Sequence, residues 1–298
     1  MVKHKQKELK SDKIFNLVNN LFLILSFLVV LYPLLYIVSC SFSNAKAVMS
    51  HKVWLWPVDF DLTAYKAVFT NKQIGSGYMN SIYYVVFGTL ISVVLTMFLA
   101  YPLSRKEFYG RNLVTKLIMF TMLFTGGTIP LYLVVRNIGL YDTRLAMLLP
   151  NAITVWNVII ARTFLQENIT DELYDAAQID GCSDIKFMFK MVFPLSGAII
   201  AVLALFYAVS QWNKYFDALI YLQKQELYPL QIILRNILII NKNTPSMMSD
   251  VAASVRAQGL SETIRYALIV VASVPLLVIY PFVQKFFVKG VMIGSVKG

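Results

Sequence analysis

Six long stretches of this chain contain no Asp, Glu, Lys or Arg: residues 14–45, 73–104, 117–135, 145–161, 191–213 and 266–284. A helix needs about 20 mostly apolar residues to cross the hydrocarbon layer, so each stretch predicts a membrane span. The fourth is slightly short. It can extend through Arg162 to Gln166, because an arginine near a helix end can carry its charged head to the interface. A seventh apolar stretch, residues 227–240, holds Pro229 and Arg235 and is expected at the interface or outside the membrane. The predicted class is an all-α polytopic membrane protein with six transmembrane helices. It forms one membrane domain over residues 1–298, with a tail of 1–13 and a core of 75–285.

Composition agrees with that class. Hydrophobic residues make up 58% and charged residues 14%, and the mean hydropathy is +0.63, whereas an average soluble domain is roughly 25% charged. The net charge of +11 reads as basic residues flanking and orienting the spans, not as a nucleic-acid surface. The tail carries Lys3, Lys5, Lys7, Lys10 and Lys13, and the short loop after the second span carries Arg105, Lys106, Arg111 and Lys116. Both are expected in the cytoplasm, with both termini there, and residues near Lys52 and Asn243 outside. Trp54 and Trp56 then read as outer-interface anchors. Cys40 and Cys182 fall on opposite sides in this topology, so no disulfide is expected between them. The first apolar run is longer than a signal peptide's core of about 7–15 residues, which favours an uncleaved first span.

Several chemistries have no sequence support. There is no G-x-x-x-x-G-K-[ST] phosphate loop, no H-E-x-x-H and no G-x-S-x-G elbow. His4 and His51 are the only histidines, in the tail and a loop. The spans hold no carboxylate pair for acid–base catalysis and almost none of the Asp, Glu or His that a proton-coupled carrier uses. The chain is expected not to be an enzyme and to hold no metal or cofactor.

The loop between the fourth and fifth spans carries the most information. Thr170 can cap a short helix, Asp171 and Glu172 complement its positive end, and Gly181 suits its C-cap. Leu173, Ala176, Ala177 and Asp180 share a face at helical spacing. A second helix can start at Ser183, with Ile185, Met188, Phe189 and Val192 on one face, and Pro194 then opens the fifth span. An amphipathic interfacial loop explains the apolar face. It does not explain an alanine pair, a glycine and a proline at these spacings, which give a rigid elbow that another protein's backbone can approach.

Asp175-Ala176-Ala177, three residues, Gly181, nine residues, Met191, one residue, Phe193-Pro194 resembles the EAA loop of ABC importer permeases, E-A-A-x3-G-x9-I-x-L-P. Asp replaces Glu, Met replaces Ile and Phe replaces Leu. Asn80-Ser81, Ala100-Tyr101-Pro102-Leu103-Ser104-Arg105 and Gly126-Gly127-Thr128-Ile129-Pro130-Leu131-Tyr132 resemble the carbohydrate-uptake permeases. Pro229-Leu230-Gln231 and the end of the chain, from Tyr280-Pro281-Phe282 to Gly294-Ser295-Val296-Lys297-Gly298, are similar to a branch associated with aldouronate or polysaccharide transport. The resemblance implies a type I ABC importer permease fold in a bacterial cytoplasmic membrane. It implies a second permease subunit in a heterodimer, two ATPase subunits and an extracytoplasmic sugar-binding protein. It also implies that ATP and magnesium are held by the partner ATPase. The coupling loop, residues 168–194, would dock on that ATPase through Asp171, Glu172, Leu173, Asp175, Ala176, Ala177, Asp180, Gly181 and Pro194.

A sugar path needs aromatic faces for stacking and neutral amides for hydrogen bonds. Tyr132, Asn151, Trp156, Asn157, Tyr207, Gln211, Trp212 and Asn213 are the candidates, and an aromatic belt with interhelical amide contacts is the other reading of the same residues. Lys214 and Asp217 form an intramembrane pair if the fifth span continues to Leu222, and an interfacial one if it ends at Asn213. A secondary carrier without an ATPase, or a membrane scaffold, are the alternative functions. The Gly181 elbow argues against the first, and only the span count supports the second.

Overall fold

A computed structural model describes the backbone of residues 10–243 and 251–295 and the side chains of residues 11–237 and 259–281. In chain order the helices are α1 (Lys10–Ser41), α2 (Ala45–Met49), α3 (Thr63–Thr70), α4 (Lys72–Ser104), α5 (Arg111–Leu123), α6 (Thr128–Asn137), α7 (Leu145–Leu148) and α8 (Val155–Asn168). They continue as α9 (Asp171–Ile179), α10 (Asp184–Phe187), α11 (Phe193–Leu195), α12 (Gly197–Trp212), α13 (Phe216–Tyr221), α14 (Leu230–Asn243) and α15 (Val251–Ser295). Among the described residues there is no regular strand, only an isolated bridge between Ser43 and Phe60. Lys3, Lys5 and Lys7 of the tail and the final Val296-Lys297-Gly298 lie outside the described residues, as do the side chains of the end motif from Phe282 onward.

Contacts divide the chain into two compact units. One draws on Met1–Asn71 and Ile237–Ser273, the other on Lys72–Asn236 and Val274–Gly298. In the first unit α1 exposes nearly all of its apolar length, from Ile14 to Val30. Only its end packs: Cys40 is buried with Ala47, Val48 and Val53, and Tyr36 meets Tyr266 edge-on with ring centres 6.0 Å apart. The chain after α1 is stitched by hydroxyls. Ser39 Oγ donates to the Leu55 carbonyl at 2.6 Å, and Ser43 Oγ accepts from the Val58 N–H at 3.0 Å. Trp54 and Trp56 stand exposed.

The second unit is built on α4. Its 33 residues extend about 50 Å at 1.5 Å per residue, longer than the hydrocarbon layer. Val93, Met97, Ala100 and Leu103 of α4 pack with Val158, Ala161 and Leu165 of α8 and with Leu203 and Tyr207 of α12. Close approach sets residue size on α4. At Gly77 a β-carbon would press on the Leu230 backbone at 3.2 Å, and at Gly88 it would run into the Gln211 side chain. Asn80 and Ser81 clamp the chain entering α14. Asn80 Nδ2 donates to the Glu226 and Tyr228 carbonyls at 2.6 and 3.1 Å, and Ser81 Oγ accepts from the Leu230 N–H at 2.8 Å. The two sequence motifs Asn80-Ser81 and Pro229-Leu230-Gln231 are thus partners in space. The apolar stretch 227–240 is mostly α14, and it buries Leu230, Ile232, Ile233 and Leu234.

Three described helices are long and apolar enough to cross a membrane: α1, α4 and the Gly259–Pro281 part of α15. Counting each bent helix pair as one span raises that to five. The predicted third span is not one helix. α5 and α6 meet at 113°, because Phe124-Thr125-Gly126-Gly127 interrupts the helical hydrogen bonds and each glycine costs about 1 kcal/mol in a helix interior. The predicted fourth span divides into α7 and α8 around Pro150, which has no N–H to donate, and Asn151, whose φ is +59°. The predicted fifth span breaks at Ser196, where the helix up to Leu195 turns 82° into α12. Pro194 therefore lies in α11, and Gly197 opens the long helix.

Candidate functional site

The elbow between α8 and α12 folds as two capped helices, with corrections to the predicted faces. Thr170 occupies the N-cap position of α9, but its side chain makes no capping bond to the backbone. The Glu172 carboxyl is held below its usual range by its own N–H and then by the Thr170 hydroxyl. The C-cap is Asp180, and Gly181 follows it with φ +70°. The Gly181 N–H donates to the Gln178 carbonyl and the Cys182 N–H to the Ala177 carbonyl, both at 2.9 Å. These two bonds are a Schellman closure, which wants a left-handed residue at that position. A β-carbon on Gly181 would meet nothing within 4 Å. The constraint at Gly181 is therefore backbone conformation alone.

The alanine pair splits. Ala177 is buried in the core of the second unit, and Leu173 and Tyr174 pack beside it. Ala176 and Asp180, expected on the same face, are exposed with Glu172 and Asp175. Successive residues of an α-helix are rotated by about 100°, and with Leu173, Tyr174 and Ala177 defining the inner face Ala176 falls outside it. Ser183 caps α10, its Oγ accepting from the Lys186 N–H at 3.4 Å. Beyond it Phe187, Met188 and Val192 are buried, whereas Ile185 and Phe189 are exposed. Ile185 lies on the outer side of α10, and the π-helical turn over Met188–Val192 then widens the helix and shifts the inward face away from Phe189. Tyr174 locks the elbow. Its hydroxyl donates to Asp184 Oδ1 at 2.7 Å, and its ring meets Phe187 edge-on at 5.4 Å. The Asp184 carboxylate, followed by burial, holds the Tyr174 phenol above its ordinary range, so it remains a donor.

The elbow meets the end of α4 at two basic residues, Arg105, which ends the Ala100–Arg105 motif, and Lys106. Arg105 stacks on Tyr174, its Cζ 4.3 Å from the ring centre, and its Nη1 lies 3.5 Å from Asp171 Oδ1. Lys106 Nζ also donates to Asp171, at 3.1 Å. A cleft of about 380 Å³ opens here, lined by Phe98, Tyr101, Arg105, Tyr174, Asp184 and Met188 among others. Arg162 donates Nε to the Leu103 carbonyl at 2.9 Å, capping the negative end of α4.

The sugar-path candidates divide between packing and exposure. Tyr207 is buried. Its hydroxyl bonds Thr96 Oγ1 at 2.6 Å and accepts the Thr154 N–H at 3.2 Å, joining α12 to α4 and to the start of α8. Gln211 is buried against Gly88, Trp212 is buried and edge-on to Tyr78, and Asn157 is buried on α8. Tyr132 belongs to another cluster, with Tyr141 and Tyr221. Asn151, Trp156 and Asn213 are exposed. α12 ends at Trp212, so Lys214 lies in the turn to α13 and Asp217, 3.8 Å away, in the first turn of α13, and Lys214 Nζ donates to the Met147 carbonyl. At the same end of the unit Asp142 accepts the N–H groups of Gln223 and Lys224, each at 2.9 Å. Those of Lys224, then Gln223, hold its carboxyl below the usual range. Among the described residues no group of three or more His, Cys, Asp or Glu could hold a metal ion. Cys40 and Cys182 are free thiols.

No family model matches the sequence, but full-length relatives do. The chain is 40% identical over 287 residues to the polygalacturonan/rhamnogalacturonan transport system permease protein YtcP of Bacillus subtilis (strain 168), covering 96% of this chain and 99% of that protein. It is 40% identical over 295 residues to protein LplC of the same organism, covering 99% of each. Its fold superimposes on a crystal structure of a bacterial ABC transporter involved in the import of the acidic polysaccharide alginate. The TM-score is 0.86 and the identity 34%, over 95% of this chain and 100% of that one. A transport-system permease is one subunit of a transporter complex. With its apolar helices and this full-length kinship, the chain is a multi-pass membrane protein that belongs to the carbohydrate-uptake family of ABC transporter permeases.

Proposed function

We propose that this permease forms one half of an oligosaccharide pathway, paired with a second permease subunit, two ATPases and an extracytoplasmic sugar-binding protein. Saccharides with acidic sugars are the first substrates to test, since two similar proteins are described by acidic polysaccharides, polygalacturonan and alginate. ATP and magnesium are held by the ATPases. Six crossings complete the fold: α1, α4, α5 with α6, α7 with α8, α12 and α15. The termini and residues 168–194 face the cytoplasm, and residues near positions 52 and 243 face outward, a reading supported by the basic loop after α4.

The observation that carries the coupling role is the α9–α10 elbow. It is locked on its inner side by Ala177, Tyr174 and Phe187, and it presents Asp175, Ala176, Ile179 and Ile185 outward. Ile179 is 86% exposed and Ile185 70%, apolar surface that a protein partner would cover. In this reading α9 docks in the ATPase, and ATP-driven closure of the ATPases moves the elbow as a rigid body. The spans then alternate between inward-open and outward-open packings. ATP must bind one packing more tightly, because equal affinity shifts nothing.

The test is uptake of labelled oligogalacturonides and neutral oligosaccharides into vesicles carrying the assembled transporter. Uptake is expected only with ATP and an intact ATPase. Uptake by this permease pair without the ATPase would identify a secondary carrier, and none under any condition would leave a scaffold.

A further inference from the structure

We propose that Arg105 is the positioning residue that passes the displacement of α9 to α4. The proposal rests on the docking of α9 described above.

Arg105 follows the last residue of α4, and its side chain is only 9% exposed. One guanidinium touches three places. Nη1 faces Asp171 in the first turn of α9 at 3.5 Å, the planar group covers the Tyr174 ring one turn later, and Nε lies 3.6 Å from Glu107 Oε2. The Arg105 backbone is itself held. Its N–H donates to the Pro102 carbonyl at 3.2 Å, and its carbonyl accepts from Nη1 of Arg111, the first residue of α5, at 3.3 Å. With Arg162 on the Leu103 carbonyl, the end of α4 is tied to α5, α8 and α9 at once. A displacement of α9 must either carry α4 with it or break the contacts of Arg105.

The geometry suits a moving joint. Nε and Nη2 are buried without a hydrogen-bond partner, and Arg105 lines the cleft between α4 and the elbow. The guanidinium stands almost equidistant from two carboxylates, Asp171 on α9 and Glu107 on the turn after α4. A shift of α9 can strengthen one pairing as it weakens the other. Lysine could supply the charge but not the planar stacking on Tyr174.

Lys106 provides an internal control. It reaches the same Asp171 carboxylate at the shorter distance of 3.1 Å, but its side chain is 76% exposed, and exposed pairs contribute little.

The experiment uses the complete transporter in proteoliposomes and measures saccharide uptake and ATP hydrolysis together. Docking is followed by a cross-link to the ATPase from Ile179→Cys, with Cys40 and Cys182 replaced. Arg105→Gln is expected to lower uptake per ATP hydrolysed by roughly fivefold or more, the scale of a typical coupling free energy, with the cross-link retained. Arg105→Lys should recover only part of that loss. Lys106→Ala should stay within about twofold of the parent. If Arg105→Gln does not assemble, Arg105→Lys, which keeps the charge and loses the planar stacking on Tyr174, must itself lower the ratio by more than about twofold. An unchanged ratio with the cross-link intact, in Arg105→Gln or in Arg105→Lys where that variant stands in, would overturn the role of Arg105 alone. No cross-link in the otherwise unmodified transporter would overturn the docking of α9, and this proposal with it.

Discussion

Gly181→Val is expected to lower ATP-driven uptake by roughly five- to thirtyfold while the permease stays inserted and paired. A left-handed residue with a β-carbon costs about 1–2 kcal/mol, and that energy changes a two-state ratio by about this factor. The φ of +70° at Gly181 places the full cost on the turn, because no neighbouring atom obstructs the new side chain. The chain relaxes by giving up the Schellman bonds to Gln178 and Ala177. The Tyr174–Asp184 bond that spans the elbow then loses its geometry. No membrane helix is touched, so insertion should be unaffected. Asp175→Lys is expected to act in the same direction by reversing charge on the exposed face of α9. ATPase co-purification and uptake, measured on the same preparation, check both variants. Normal values for both quantities would remove the elbow from the coupling path.

Tyr207→Phe and Trp156→Ala are expected to separate packing from passage. Removing the Tyr207 hydroxyl leaves Thr96 Oγ1 and the Thr154 N–H without the partner that joins three helices, at a cost of about 1–3 kcal/mol. The purified transporter should unfold at a lower temperature, and properly assembled complexes should still transport. Trp156 is 56% exposed, so its loss should spare stability and lower uptake by roughly two- to tenfold, the scale of an aromatic contact. Thermal unfolding and uptake on both variants decide the matter. The reverse pattern, a stable Tyr207→Phe transporter that has lost uptake, would put Tyr207 on the sugar path.

The contrast between these two aromatics shows what a sequence can and cannot say here. Tyr207 and Trp156 lie in apolar runs of the same character, and the chemistry that stacks on a sugar also holds helices together. Only the direction of each side chain distinguishes them. The long helices α1, α4 and the apolar part of α15 were legible because an uncharged run of sufficient length leaves the backbone no better way to cross lipid. Hydropathy is blind to backbone direction, however. The turns at Gly126-Gly127, Pro150 and Ser196 sit inside apolar runs and change the path of the chain without changing its transfer energy. In the elbow, the caps at Thr170, Gly181 and Ser183 were found within a residue, since capping depends on local residue types. The outward turn of Ala176 and the exposure of Ile185 and Phe189 depend on packing and on a π-helical turn, which leave no local signal. Arg105 was legible as a basic residue beside a span and as the end of the Ala100–Arg105 motif, but its contacts were not. Its partners Asp171 and Tyr174 come from a distant part of the sequence.

The most direct measurement is a cross-link between the exposed face of α9 and the ATPase. A cysteine at Ile179, in a transporter lacking Cys40 and Cys182, is treated with a short thiol cross-linker in the resting complex and again with ATP bound. The account predicts that the ATPase is captured from position 179 and that locking this contact stops ATP-driven uptake. Absence of any ATPase product from this position in a transporter that still imports saccharide with ATP would contradict it.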